Sequence, residues 1–312
     1  RTNDDVWTKH MLAFIDATIA AVDAANLFAG GASDGPIIML QMENEYGNVQ
    51  DFYGQDGADY VSKLVDYVHG NSDLQLPWIM CQQGEGVGTA PSADIINTCN
   101  GFYCDDWIAG HAAAFPNQPH MFTENWPGWF QQWGEATPHR PAVDVAYSVL
   151  RWFAKGGSFM NYYMAFGGTS FARSVGGPDI VTSYDYDVAV NEYGMQAEPK
   201  FTLQKQMHAA LYASQDAVFG TAAHPAAVQL NNSSCESYTY SSGQACAVFL
   251  SNTGTEDCAF GKVSVPAWSV TLLTGPFAAS ACDVTALSEV FNSKTAIRAL
   301  NSNKLAAEAV PI

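Results

Sequence analysis

The chain has 312 residues, 48% of them hydrophobic and only 14% charged, against roughly 25% charged in an ordinary soluble domain. Thirteen Lys+Arg against thirty-one Asp+Glu leave a net charge of −18 and a pI near 4.5. That balance offers no basic footprint for nucleic acid, it repels anionic lipid, and no stretch approaches the ~18–20 apolar residues that span a bilayer. Nucleic-acid and membrane roles are set aside; a neutral or cationic substrate, or an acidic compartment, fits the charge. At roughly 150 residues per domain, the length points to two domains.

The first predicted element is a helix from Val6 towards Gly30-Gly31. Trp7, Met11, Phe14, Ile15, Ile19 and Val22 recur at three- and four-residue steps, and Asn3 or Asp4 can cap the start. Next comes the apolar run GPIIMLQ, expected to be a strand buried on both faces of a parallel sheet. A helix around Tyr60, Val61, Leu64, Val65 and Val68 and the runs LPWIMC, DIINTCNGFYC and HMFTENW follow. A helix opening at Pro141, the run SFMNYYMAF and a helix from about Lys200 to Gln215 complete the alternation. Strands are therefore expected at about 36–43, 76–81, 94–100, 119–124 and 158–165. Such alternation implies a parallel sheet covered by helices. An open doubly wound sheet and a (β/α)₈ barrel both satisfy it.

Past Ala226 the period changes. AVQL, SCESYTYS, CAVFLSN, CAFGKVSV and SVTLL read as a small antiparallel β domain, and the stretch from Asn292 onward has no assignable pattern. The cysteines at 81, 99, 104, 235, 246, 258 and 282 contain no CxxC, which argues against a zinc ribbon or a thioredoxin-type site. The clustering of the last four, beside glycosylation sequons at Asn231 and Asn232, points to an oxidising, secretory route. The seven histidines show no HxxxH spacing and read as surface or hydrogen-bonded groups, so no metal site is expected.

Polar residues gather at the C-terminal ends of the buried runs, where parallel α/β folds place their chemistry. The first run ends in Gln41, Glu43, Asn44 and Glu45, with both glutamates on one face if the strand alternation continues; the fourth ends in Glu124, Asn125 and Trp126. A carboxylate closing a buried strand costs several kcal/mol unless paired or used. Trp126, Trp129, Phe130, Trp133, Tyr162, Tyr163, Tyr184 and Tyr186 accompany them. Two acids, amide neighbours and flat rings suit glycoside hydrolysis, in which one carboxyl protonates the leaving oxygen and another attacks or stabilises the oxocarbenium centre.

GPIIMLQMENEYGN closely resembles the signature of family 35 glycoside hydrolases, the β-galactosidases. Further resemblance lies in TENWPGWFQQWG (123–134), GGSFMNYYMAFGGTSFAR (156–173), TSYDYDVAVNEYG (182–194) and INTCNGFYC (96–104), the last looking especially like the plant-type, eukaryotic branch, and the blocks are collinear with the family over about residues 1 to 215. The resemblance implies a (β/α)₈ barrel over residues 1–220, of which about strands 4–8 are present, and a β-rich domain over 221–312 with an unassigned tail. It implies a retaining exo-β-galactosidase acting on terminal β-galactosyl residues, with Glu45 as acid/base and Glu124 as nucleophile. Asn44 is expected to meet the sugar 2-hydroxyl, and Trp129, Tyr163 and Tyr184 to line the galactose pocket, while Glu43 is supporting structure. No metal or organic cofactor is required, and the partner is a β-galactoside of an oligosaccharide, cell-wall or glycoconjugate glycan. Alternatives are an exo-β-glucosaminidase on the same scaffold, or a non-catalytic galactose-binding module or inactive fragment. The expected location is extracellular, in the cell wall, or in an acidic vacuole- or lysosome-like compartment.

The family barrel begins with three strands upstream of the equivalent of Arg1. The chain is therefore expected to be an N-terminally truncated fragment, poorly folded and aggregation-prone when expressed alone, because an incomplete barrel leaves unpaired edges and an open core.

Overall fold

The computed structural model describes residues 2–30, 34–70, 76–81, 94–174, 177, 179–220, 224–230, 234–243, 245–278, 281–283 and 286–308. The sequons at Asn231 and Asn232 lie outside the described residues. In chain order the first elements are α1 (Asp5–Ala24), β1 (Leu40–Gln41), α2 (Gly47–Gln50), α3 (Gln55–Gly70), β2 (Trp78–Cys81), β3 (Ile95–Gly101), α4 (Trp107–Ala114) and β4 (Met121–Asn125). Next come α5 (Ala142–Ala154), β5 (Phe159–Tyr162), α6 (Lys200–Ala213) and α7 (Gln215–Val218). Strands β6 (Val228–Gln229), β7 (Cys235–Ser241), β8 (Ala245–Asn252), β9 (Cys258–Phe260) and β10 (Val263–Val265) follow. β11 (Ser269–Ala278), β12 (Ala281–Cys282), β13 (Ser288–Asn292) and α8 (Ser293–Glu308) close the chain.

The first sheet runs β1-β2-β3-β4-β5, with β1–β2 and β2–β3 parallel. A doubly wound sheet reverses its order at a switch point, whereas barrel strands add in chain order. The five strands are thus consecutive strand–helix units of (β/α)₈-barrel type, and the choice that periodicity leaves open is decided by strand order. The chain divides into two compact units, residues 1–100 with 106–123 and residues 101–105 with 124–312, and the boundary crosses β4.

In the first unit, Asp4 caps α1 through its side chain, which accepts from the Trp7 N–H at 2.8 Å. Met11, Leu12, Ile15 and Ile19 pack on a core of Met42, Tyr46, Tyr60, Leu64, Trp78, Met80 and Ile95. Two expectations change here. Phe14 is 74% exposed, and α1 ends at Ala24, where Asn26 takes a left-handed φ of 54° before Gly30 is reached. The run 36–43 is not buried on both faces: only Leu40 and Gln41 form β1, and Ile38 is 61% exposed. β1 is the outermost strand of the described sheet, so it is covered by a neighbour on one edge only. By contrast β2 is buried at all four positions.

α4 has no counterpart among the expected elements: its Ala-rich sequence has no amphipathic period to read. It is tied to β3 by a buried polar chain. His111 Nδ1 lies 2.8 Å from His120 Nδ1, His111 Nε2 lies 3.3 Å from Gln118 Oε1, and the Gln118 amide donates to the Ile95 carbonyl at 2.8 Å.

In the second unit every α5 residue except Asp144 and Val143 is buried, because this helix also packs against β8 and β11 of the following domain. That domain is antiparallel: its main sheet runs β12-β11-β8-β7-β6, with β13 also pairing β11, and β9 and β10 form a ribbon. Disulfides Cys235–Cys258 and Cys246–Cys282 staple it, and Cys99 and Cys104 are disulfide-bonded as well. The Arg151 guanidinium reaches from α5 to Asp105 (2.7 Å), Glu236 (3.1 Å) and Ser251 (2.6 Å), and Tyr240 donates to the Phe153 carbonyl at 2.7 Å. Trp268 stacks on Tyr147 at 4.4 Å and donates to Asp144 at 2.7 Å. The stretch without a readable pattern holds α8, opened by Asn292, whose side chain accepts from the Lys294 and Thr295 N–H groups.

Burial lowers the pKa of His111, with partial opposition from its contact to Gln118. The folded state therefore keeps this imidazole neutral where the unfolded chain, titrating near 6.5, takes up a proton. Stability is fully present above pH 6.5 and declines as pH falls below it. In urea titrations at pH 7.5 and 5, His111→Gln is expected to narrow the difference between the two midpoints; an unchanged difference would show that His111 does not couple folding to pH.

Candidate active site

Glu45 belongs to the first unit. The β1 ladder ends as the Met42 N–H donates to the Ile79 carbonyl at 2.9 Å, and the Glu45 N–H donates to the Cys81 carbonyl at 2.9 Å. Between them the chain makes a tight turn, with left-handed φ of 62° at Glu43 and 54° at Glu45. Each such residue costs about 1–2 kcal/mol, and the conformation persists only where the surroundings fix it. Here Glu43 supplies the fixing contacts. Its carboxylate accepts from the Tyr60 hydroxyl at 2.6 Å and from the Asn44 N–H at 3.1 Å, while the Gln41 amide donates to the Glu43 carbonyl (2.9 Å) and to Asn44 Oδ1 (3.0 Å). Beside this carboxylate, burial first and then the Glu43 bond and charge push the Tyr60 phenol far above its usual range.

Strand alternation therefore does not extend to the two glutamates, since β1 stops at Gln41. Glu43 turns to the buried Tyr60, whereas Glu45 Oε1 accepts from Asn100 Nδ2 at 2.9 Å. Asn44 is exposed and Glu45 is half-buried. Asn100 is only 6% exposed and sits near the end of β3, with its Oδ1 accepting from the Thr123 hydroxyl at 2.8 Å. Asn100 is not among the residues singled out from the sequence, yet it carries the same signal as Glu124, a polar side chain closing a buried run.

Glu124 belongs to the second unit. Near the end of β4 it is half-buried, and Oε2 accepts from the Trp126 indole N–H at 3.0 Å. Rings surround that indole. Trp126 meets Phe102 at 5.2 Å and Trp129 at 4.9 Å, Trp129 lies 5.8 Å from Tyr186, and Tyr186 lies 5.5 Å from Tyr163 and 5.6 Å from Tyr184. The Tyr184 phenol is driven well above its usual pKa by burial first, then by its hydrogen bond to Tyr163 and the charges of Tyr163 and Glu124. It thus remains a protonated donor close to the carboxylate. The second unit brings together four of the expected site residues, Glu124, Trp129, Tyr163 and Tyr184; the other two, Asn44 and Glu45, form the turn of the first unit.

Two buried cations hold the Glu124 segment. Arg140, 6% exposed, donates to the carbonyls of Trp126 (2.5 Å) and Phe102 (3.0 Å) and to Asp144 (2.7 Å). A guanidinium has the five donors needed to satisfy carbonyls that a strand end leaves without ladder partners. The Asp144 pKa is lowered: burial pushes it up, and hydrogen bonds from Trp268, Arg140 and Tyr103 outweigh that. Lys200, 4% exposed, donates to the Pro127 carbonyl at 2.9 Å, to the Asp187 carboxylate at 2.8 Å and to the Asp187 carbonyl. It thereby clamps the loop bearing Tyr184 and Tyr186 against the residues after Glu124. A cavity of about 250 Å³ borders this cluster, lined by Trp129, Gln131, His139, Ser183 and Tyr186 among others. Among the described residues no group of three or more His, Cys, Asp or Glu is placed to hold a metal ion.

The family model described as "Glycosyl hydrolases family 35" matches residues 1–211. The chain belongs to that family. "Probable beta-galactosidase 2" of Dictyostelium discoideum is 46% identical over 213 residues, covering 68% of this chain and 26% of that protein. "Beta-galactosidase 6" of Oryza sativa subsp. japonica is 39% identical over 279 residues, covering 88% of this chain and 31% of that protein. This family 35 chain thus spans about a quarter to a third of the length of the two relatives. Among solved structures, a cyclic α-maltosyl-(1→6)-maltose hydrolase from Arthrobacter globiformis aligns with a TM-score of 0.44 at 14% identity, over 78% of this chain and 56% of that one.

Gly128 marks how tightly the ring cluster is closed: a Cβ there would lie 1.9 Å from the Tyr186 carbonyl oxygen. Gly128→Ala is expected to destabilise the protein by about 1–3 kcal/mol through overpacking, and to weaken the near-ultraviolet circular dichroism of the tryptophans. An unchanged denaturation midpoint and spectrum would contradict the packing described.

Proposed function

We propose that this chain carries the catalytic glutamates of a retaining exo-β-galactosidase, with Glu124 as nucleophile and Glu45 as acid/base. The observation that carries the proposal is the setting of Glu124: a half-buried carboxylate oriented by the Trp126 indole and sensed by Tyr184 within a group of edge-on and tilted rings. Ring faces suit the C–H face of a galactose, and the Tyr163 and Tyr184 hydroxyls suit its hydroxyl groups. Family membership and the names of the relatives support β-galactosides as the substrate class.

In the first half-reaction a Glu124 carboxylate oxygen bonds to the anomeric carbon as the glycosidic C–O bond breaks. Glu45 transfers its proton to the departing oxygen. In the second, a water oxygen bonds to the same carbon while its proton passes to Glu45, and the ester to Glu124 breaks. Two inversions leave the anomeric configuration unchanged. Asn44 is assigned to the sugar 2-hydroxyl, where a hydrogen bond strengthens towards the transition state, and Trp129, Tyr163 and Tyr184 to the galactose ring.

Residues 1–220 are assigned to the barrel and 221–312 to the β domain, which α8 closes. The disulfides favour an oxidising route and a secreted or vacuolar location.

Proton NMR of an aryl β-galactoside during hydrolysis is expected to show β-galactose as the first product, with α-galactose appearing only by mutarotation. Glu124→Gln should remove this hydrolysis while leaving the thermal midpoint close to that of the parent. α-Galactose as the first product, or full activity in Glu124→Gln, would overturn the proposal.

A further inference from the structure

The Asn100 amide stands between Glu45 and a buried hydroxyl pair. Nδ2 donates to Glu45 Oε1 at 2.9 Å, and Oδ1 accepts from Thr123 Oγ1 at 2.8 Å, which itself lies 2.8 Å from Thr98 Oγ1. Asn100, Thr123 and Thr98 are 6%, 7% and 0% exposed. An amide oxygen only accepts, so a hydroxyl donor on that side turns the NH₂ group towards the carboxyl. Thr98 and Asn100 lie on β3 and Thr123 on β4, whereas Glu45 comes from a tight turn, and the orientation of a carboxyl about its broad terminal torsion is set by the hydrogen bonds it makes.

We propose that Asn100, oriented by Thr123, is a positioning residue that fixes the rotation of the Glu45 carboxyl and assigns the transferable proton to Oε2. The proposal rests on the reading of Glu45 as acid/base. One N–H group serves both protonation states: Oε1 is the carbonyl oxygen of the neutral acid and a carboxylate oxygen of the base, and it accepts in each. Oε2 then gives its proton to the glycosidic oxygen as the C–O bond breaks, and regains one from water in the second half-reaction. Preorganisation of this kind acts on the step that needs proton transfer and has little influence where the leaving group departs unaided.

The test compares kcat/KM for 2,4-dinitrophenyl β-galactoside, whose leaving group needs no proton, with that for phenyl β-galactoside, whose leaving group does. Positioned acid catalysis contributes roughly 10²- to 10⁴-fold, and Asn100→Ala is expected to forfeit roughly 10- to 100-fold of it on the phenyl substrate. The loss in kcat/KM on the dinitrophenyl substrate should be far smaller. Thr123→Val, which keeps the volume and removes the hydroxyl, should produce a smaller split in the same direction and provides a second reading should Asn100→Ala fold poorly. Glu45→Gln separates the two levels of the claim. If Glu45→Gln shows the split but Asn100→Ala and Thr123→Val lower both substrates equally, or neither, the positioning role is overturned and the acid/base reading stands. If Glu45→Gln shows no split, both are overturned.

Discussion

A carboxylate at the end of a buried strand has lost much of its water and must be satisfied by donors that do not move. That requirement organises the glutamates at both strand ends. At β1 the chain takes up two left-handed residues, and Glu43 fixes the turn through Tyr60 and the Asn44 amide. Glu45 is thereby left to meet Asn100. At β4 the donor comes from two residues along the same chain, the Trp126 indole, and the rings of Trp129, Tyr186, Tyr163 and Tyr184 build outward from it. The two carboxylates thus have different immediate surroundings, an amide in one case and aromatic rings in the other. Different surroundings are what two carboxyls need in order to take different roles.

Rigidity of the Glu124 segment is obtained from buried cations. Arg140 gathers carbonyls that follow β3 and β4, and Lys200 bridges Pro127 and Asp187. Both receive compensating carboxylates, Asp144 and Asp187, as buried cations must. The antiparallel domain joins the same framework through Trp268 on Asp144 and through Arg151 on Glu236 and Ser251. It therefore braces α5, the helix that follows the loop after Glu124.

Much of this architecture is legible in the sequence where apolar runs are long and bounded. The expected strands at 76–81, 94–100, 119–124 and 158–165 correspond to β2 to β5, and α3, α5 and α6 stand where periodicity places them. The cysteine-rich β domain is legible for the same reason, since short runs alternate with turn residues and the last four cysteines pair within it. What escapes is tertiary in origin. The exposure of Ile38 and Phe14 depends on which neighbours cover β1 and α1, and a heptad-like spacing carries no such information. Turn geometry at Glu43 and Glu45 likewise follows from side-chain bonds to a residue seventeen positions away and from the end of the ladder. Arg140 and Lys200 escaped because a lone cation in a loop or at a helix start looks like ordinary surface until its carbonyl partners are known. Asn100 was within reach, because it ends a buried run as Glu124 nearly does.

The assignment of Glu124 as the attacking carboxylate is the central claim. Its most direct test is exposure of the protein to a 2-deoxy-2-fluoro-β-galactoside with an activated leaving group, followed by proteolysis and tandem mass spectrometry. The account predicts one fluorogalactosyl group, attached to the peptide containing Glu124. A label on another carboxylate, or its absence while substrate is still being turned over, would contradict it.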